Sequence, residues 1–127
     1  MSGLPPFELG YPRTELRRRL VEAVLRGEKT ATAGLLDDYE ADGEEVPRPG
    51  ARFVLPDAAD DPVAIVEVTE GRVLPAADID LDFARDEGEG FESVEDWRTA
   101  HEAFFGRPIG PATQIVAVRF RVVERLA

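Results

Sequence analysis

The chain reads as an α+β protein of one domain, and three patterns carry that reading. Leu16, Leu20 and Val24, with Val21 and Leu25, recur at helical spacing, and Val94, Trp97, His101, Phe104 and Phe105 repeat it further on. Val116, Val118, Phe120 and Val122 instead alternate with Arg119 and Arg121, the period of a strand. The order along the chain is helix, strands, a helical insert and a last strand, which is an α+β layout. With 127 residues, 43% of them hydrophobic, one domain with a real core is expected.

Residues 1–13, with three prolines and two glycines, read as an extended arm that Phe7, Leu9 and Tyr11 pack down; the domain proper is expected over 14–127. Thr14 caps the first helix and Gly27 ends it. Arg17, Arg18 and Arg19 lie together on it. A phosphate patch is one reading, and a solvated face beside abundant acids is the favoured one. Thr30 to Leu36 reads as a strand with Thr30, Thr32 and Gly34 on one face. Parity puts Lys29 on the other face, so Lys29 and Thr32 meet only if the helix-to-strand junction bends.

Asp37 to Gly50 reads as a long polar loop that covers a site, with Tyr39 able to stack on a base or donate a hydrogen bond. Arg52–Leu55 and Val63–Leu74 form a hairpin around an Asp57–Pro62 turn. Pro75 to Gly88 is expected as one helix. Asp78, Asp80, Asp82 and Glu89 have the spacing of a calcium loop, but Phe83 stands where the tight turn requires glycine, so that reading is rejected. Ser93 to Phe105 is the clearest helix, with Ser93 and Asp96 as a capping box and Gly106 and Pro108 as its stop. His101, the only histidine, falls on its apolar stripe and reads as a hydrogen-bonded core residue ahead of a catalytic one. Thr113 to Glu124 closes the sheet, with Arg119 or Arg121 able to reach an anionic ligand or simply to face solvent.

Fourteen of the fifteen basic residues are arginine, and Lys29 is the only lysine. In a composition rich in Ala, Arg, Gly, Pro and Asp, lysine drifts to arginine wherever only a positive charge is needed. A lysine that persists points to chemistry that arginine cannot do, since an ammonium can lose its proton when desolvated. The plainer alternative is a cation that caps a helix C-terminus. Zero cysteines exclude disulfides, thiolate metal sites and thiol nucleophiles, and no apolar run reaches membrane-spanning length, so a cytoplasmic protein without membrane contact is expected. A net charge of −11 disfavours a long nucleic-acid interface, yet a local cationic pocket for a nucleoside or short strand stays compatible with it.

Gly27-x-Lys29-Thr30-x-Thr32 after an amphipathic helix, Tyr39-Glu40, Glu87-Gly88-Glu89-Gly90, and Trp97 with His101 and Phe104-Phe105 together resemble the ASCH domain family, which is similar to the PUA RNA-binding fold. The resemblance runs from about Thr14 to Val123. It implies a small, PUA-like open β-barrel of about five or six strands with flanking helices. It also implies one of two activities. Some small members resemble amidohydrolases that deacylate N4-acetylcytidine with a lysine, a threonine and a downstream glutamate, which correspond here to Lys29, Thr32 and, through Ala84-x-x-Glu87, Glu87. Others are similar to metal-dependent single-strand ribonucleases.

The longer loop after the motif and the Trp97-to-Phe105 helix depart from the smallest deacylase-like members. The catalytic candidates are therefore Lys29, Thr32 and Glu87, and the substrate-binding candidates Thr30, Tyr39, Trp97, His101 and Arg119. No cofactor is expected for the hydrolase, and a divalent metal only for the ribonuclease. The expected partner is a nucleoside or short single-stranded RNA, bound catalytically or, in a third reading, by a non-catalytic module. The acidic surface leans to the nucleoside amide.

Overall fold

The computed structural model describes residues 3–126; Met1 and Ser2 of the expected arm and Ala127 lie outside them. Four antiparallel strands, β1 (Ala31–Leu35), β2 (Arg52–Pro56), β3 (Pro62–Pro75) and β4 (Gln114–Arg125), form one sheet in the order β1-β4-β3-β2. The sheet curls into a half-barrel. Its strands number four rather than five or six because β3 and β4 are long, at 14 and 12 residues. Register shifts at Ile65/Val66 and Val68/Glu70 bend β3 along β4, so one strand turns a corner that two shorter ones could have made.

Helix α1 (Glu15–Leu25) begins as its sequence predicts, with the Thr14 hydroxyl accepting from the Arg17 N–H at 3.3 Å. Its buried stripe, Leu20, Val21 and Val24, packs with Phe7 and Leu9 of the arm against Leu55, Val66 and Phe120. Arg17 departs from the expected solvated face. It is fully buried and ties the arm down, donating to the Leu9 and Gly10 carbonyls and pairing with Asp60 at 3.2 Å. A guanidinium has five donors, enough to satisfy two carbonyls and a carboxylate at once.

Two segments differ from expectation. The polar loop after β1 begins with a short helix, α2 (Leu36–Ala41), and the predicted 75–88 helix is split. A 3-10 turn over Ala76–Asp78 is followed by α3 (Leu81–Asp86), because the Asp80 carboxylate caps the Phe83 N–H at 2.8 Å and starts a new helix. Helix α4 (Val94–Phe105) is capped by Ser93 and ended by Gly106 at φ 70°. Phe83, Ala84 and Trp97 of α3 and α4 pack on Ala31, Ile115 and Ala117. Ile115 to Val118 are therefore buried on both sides, and one-sided alternation in β4 appears only from Phe120 onward.

A buried lysine, carboxylates and a histidine in one cavity

The functional stretch is positioned by a backbone bend after α1. Gly27 turns with φ 80°, and the Glu28 and Lys29 N–H groups both donate to the Ala23 carbonyl. The chain then crosses the end of α3, where the Thr30 N–H donates to the Asp86 carbonyl at 2.7 Å. Gly88, at φ 69°, permits this crossing; a Cβ there would sit 2.5 Å from the Glu28 carbonyl oxygen and 2.7 Å from the Lys29 Cα.

Lys29 is 2% exposed. Its Nζ donates to the Ala31 carbonyl at 2.9 Å, the Glu87 carbonyl at 3.2 Å and Glu89 Oε2 at 3.4 Å, with Glu87 Oε1 at 3.6 Å. All its partners are acceptors, as the three N–H donors of an ammonium require. The lysine does cap a helix end, but that of α3 rather than its own: the carbonyls α3 leaves unpaired at Asp86 and Glu87 are taken by the Thr30 N–H and the Lys29 amine.

Glu87, 1% exposed, accepts from the Trp97 indole N–H on Oε2 and faces His101 Nε2 at 3.3 Å on Oε1. His101 Nδ1 lies 2.8 Å from the Trp97 carbonyl, and the two rings stack at 4.4 Å. Burial pushes the Glu87 carboxyl up, but the hydrogen bond with His101 and the Lys29 charge outweigh it and hold the group below its ordinary 4.5. Burial likewise pushes His101 down, and the Glu87 hydrogen bond and charge outweigh it and lift it above 6.5.

The His101 contribution to stability is thus complete below pH 6.5 and lost as pH rises through its raised value. That of Glu87 is complete above pH 4.5 and lost as pH falls through its lowered value. Thermal stability should be greatest between those limits, and His101→Gln should flatten the decline on the alkaline side. Melting curves from pH 4 to 9 check this; an unchanged alkaline slope in the variant would count against the pairing.

Lys29, Thr32, Glu87, Glu89 and His101 all line one cavity of about 530 Å³. Leu9, Leu16, Leu20, Ala103 and Phe104 make much of its apolar wall. The volume is that of a small-molecule site. The bend brings Lys29 to the Thr32 side despite strand parity, and among the described residues no protein group is hydrogen-bonded to the Thr32 hydroxyl.

The other candidates lie elsewhere. Thr30 parts from Thr32: its hydroxyl turns to the Asp86 carbonyl at 3.4 Å, outside this cavity. Tyr39 packs over Gly34 and beside Val68, Val116 and Val118, and burial there, with the nearby Glu44, raises its pKa. Trp97 is fully buried and presents no face for a base; it positions Glu87 instead. Arg119 pairs with Asp86 and lies 5.3 Å over the Phe83 ring, away from the cavity. Two lining residues, Glu89 and Arg19, were not singled out as site residues by sequence. The calcium-type spacing and the flanking glycines point to Glu89, and the Arg17–Arg19 run to Arg19, where the phosphate-patch reading stands behind that of a solvated face.

Glu87, Glu89 and His101 bring one ligand atom each within 4.8 Å of one another, a donor set found in divalent-metal sites. The fit is poor, because the Lys29 amine lies against both carboxylates and His101 Nε2 is turned onto Glu87. A divalent ion would have to displace an ammonium that already neutralises the site. Among the described residues no helix is long and apolar enough to cross a membrane.

The family model for the ASCH domain matches residues 9–124. No curated protein matches the chain significantly. Among solved structures, protein EF3133 from Enterococcus faecalis V583 is similar at 27% identity and a TM-score of 0.86, over 98% of this chain and 79% of that one. An ASCH domain from Lactobacillus crispatus JV V101 is similar at 27% identity and 0.81, over 95% and 80%. The hypothetical protein PH0355, 16% identical with a TM-score of 0.63 over 85% and 94%, shares the fold alone. With the match spanning nearly all of its length, the chain belongs to the ASCH domain family.

Proposed function

We propose that this protein is an amidohydrolase that removes the acyl group of an N4-acetylcytidine-like nucleoside, with Lys29, Thr32 and Glu87 as its catalytic residues. The observation that carries the reading is that these three line one cavity of about 530 Å³, with Lys29 Nζ 3.6 Å from Glu87 Oε1. In this reading the Thr32 oxygen attacks the acyl carbon, its proton passes to the Lys29–Glu87 pair, and the C–N bond breaks as that proton reaches the leaving amine. Water then cleaves the threonine ester to acetate and restores the hydroxyl. The Lys29 amine acts there chiefly as a hydrogen-bond donor that stabilises the oxyanion, with Glu89, the most exposed of its partners, moving aside to free a donor.

The ribonuclease reading needs a metal where Lys29 already lies, and the RNA-binding module, which would stack a base on Tyr39 or Trp97 and hold a phosphate on Lys29, meets a buried Trp97 and a buried amine. Both are weaker for it. Purified protein should release acetate and cytidine from N4-acetylcytidine, and Thr32→Ala should lower kcat by about a thousandfold, the loss expected of a nucleophile. A labelled single strand run in parallel, with and without magnesium or manganese, should stay intact. No turnover of the nucleoside together with metal-dependent cutting of the strand would replace this reading with the ribonuclease.

A further inference from the structure

Among the charged side chains that line the cavity, one guanidinium has no carboxylate against it. The cavity's carboxylates are Glu8, Glu87 and Glu89. Glu8 lies 3.7 Å from the buried Arg17 guanidinium, and Glu87 and Glu89 are held by Lys29 and His101. Arg19 remains. It lines the cavity from the exposed face of α1, and among the described residues it has no ion-pair partner. The acids within helical reach of it, Glu15 and Glu22, are both bonded to Arg18 instead. Glu15 feels the field of Arg19, but its oxygens are taken by the other guanidinium.

A guanidinium with no carboxylate against it, in the wall of a small-molecule cavity, is a receptor for an anion, and its planar fork suits phosphate. We propose that the cavity takes a nucleoside monophosphate rather than a bare nucleoside, with the amide-bearing base at the Lys29–Thr32 end and the phosphate on Arg19 at the mouth. The inference rests on the nucleoside reading of the same cavity and narrows its substrate class. It runs against the default for a chain of net charge −11, whose overall field weakens the binding of any anion.

The test is equilibrium binding of cytidine and of cytidine 5′-monophosphate to the full chain. The monophosphate should bind about tenfold tighter at low salt, the size of one charge-assisted contact, and the preference should shrink as salt rises. Arg19→Gln should bring the ratio of the two affinities close to one; circular dichroism of this surface variant checks that it is folded. A ratio near one in the wild type, the same preference in Arg19→Gln, or no binding of either ligand would each overturn the proposal. The two readings fail separately. A preference that depends on Arg19 in a protein that hydrolyses neither N4-acetylcytidine nor its 5′-monophosphate would sink the hydrolase alone, and hydrolysis without that preference would sink this inference alone.

Discussion

Lys29→Arg is expected to reduce kcat/KM for N4-acetylcytidine by about a thousandfold or more, although the positive charge is kept. The amine sits in a cage of four oxygens, three of them within 3.4 Å, which a compact ammonium fills and a planar guanidinium does not. Lys29→Met, close in volume, keeps the packing and removes the charge. It leaves Glu87 buried with only His101 and Trp97, which should cost about 3 kcal/mol in urea denaturation, the low end for breaking a buried ion pair. A folded Lys29→Arg protein with a tenth or more of wild-type activity would rule out the catalytic role.

Gly88→Ala should be nearly as damaging although no side chain is removed. The position has φ 69°, and its Cβ would meet the Glu28 carbonyl at 2.5 Å and the Lys29 Cα at 2.7 Å, which are backbone atoms that cannot swing away. The crossing of the Lys29 strand over the end of α3 would have to open, at a cost of about 3 kcal/mol or more for left-handed strain and overlap together. Gly90→Ala is the matched control: its φ is 84° with nothing within 4 Å, so only the strain of about 1 kcal/mol applies. Thermal melts and turnover of both variants check this. Equal effects at the two positions would show that conformational strain, and not the close crossing, is what Gly88 relieves.

What could be read ahead of the structure follows from local rules. Thr14 and Ser93 both cap the helices their spacing announces, and Gly106 ends α4, because capping involves atoms within one turn of each other. The split of the 75–88 segment was also local, but Asp80 could serve as a cap or as an exposed acid, and only its bond to the Phe83 N–H decides. Phe104 shows where periodicity fails. It belongs to the apolar stripe of α4 yet is 38% exposed in the cavity wall, stacked on Tyr11 at 5.6 Å, while its neighbour Phe105 packs against the core.

Periodicity alone announced the mixed α+β class, and composition alone marked Lys29 as the cation to watch. Which groups surround that lysine was decided by tertiary structure. Glu87 lies 58 residues away from it in the chain and His101 lies beyond that, joined only because α3 ends where the Lys29 strand crosses and α4 packs behind. Strand parity would have put Lys29 and Thr32 on opposite faces; the bend at Gly27 and the close approach at Gly88 put both in one cavity. Arg17 and Trp97 went the other way, into packing. Their residue types suit binding equally well, and burial, which depends on contacts between distant segments, assigned them to the scaffold.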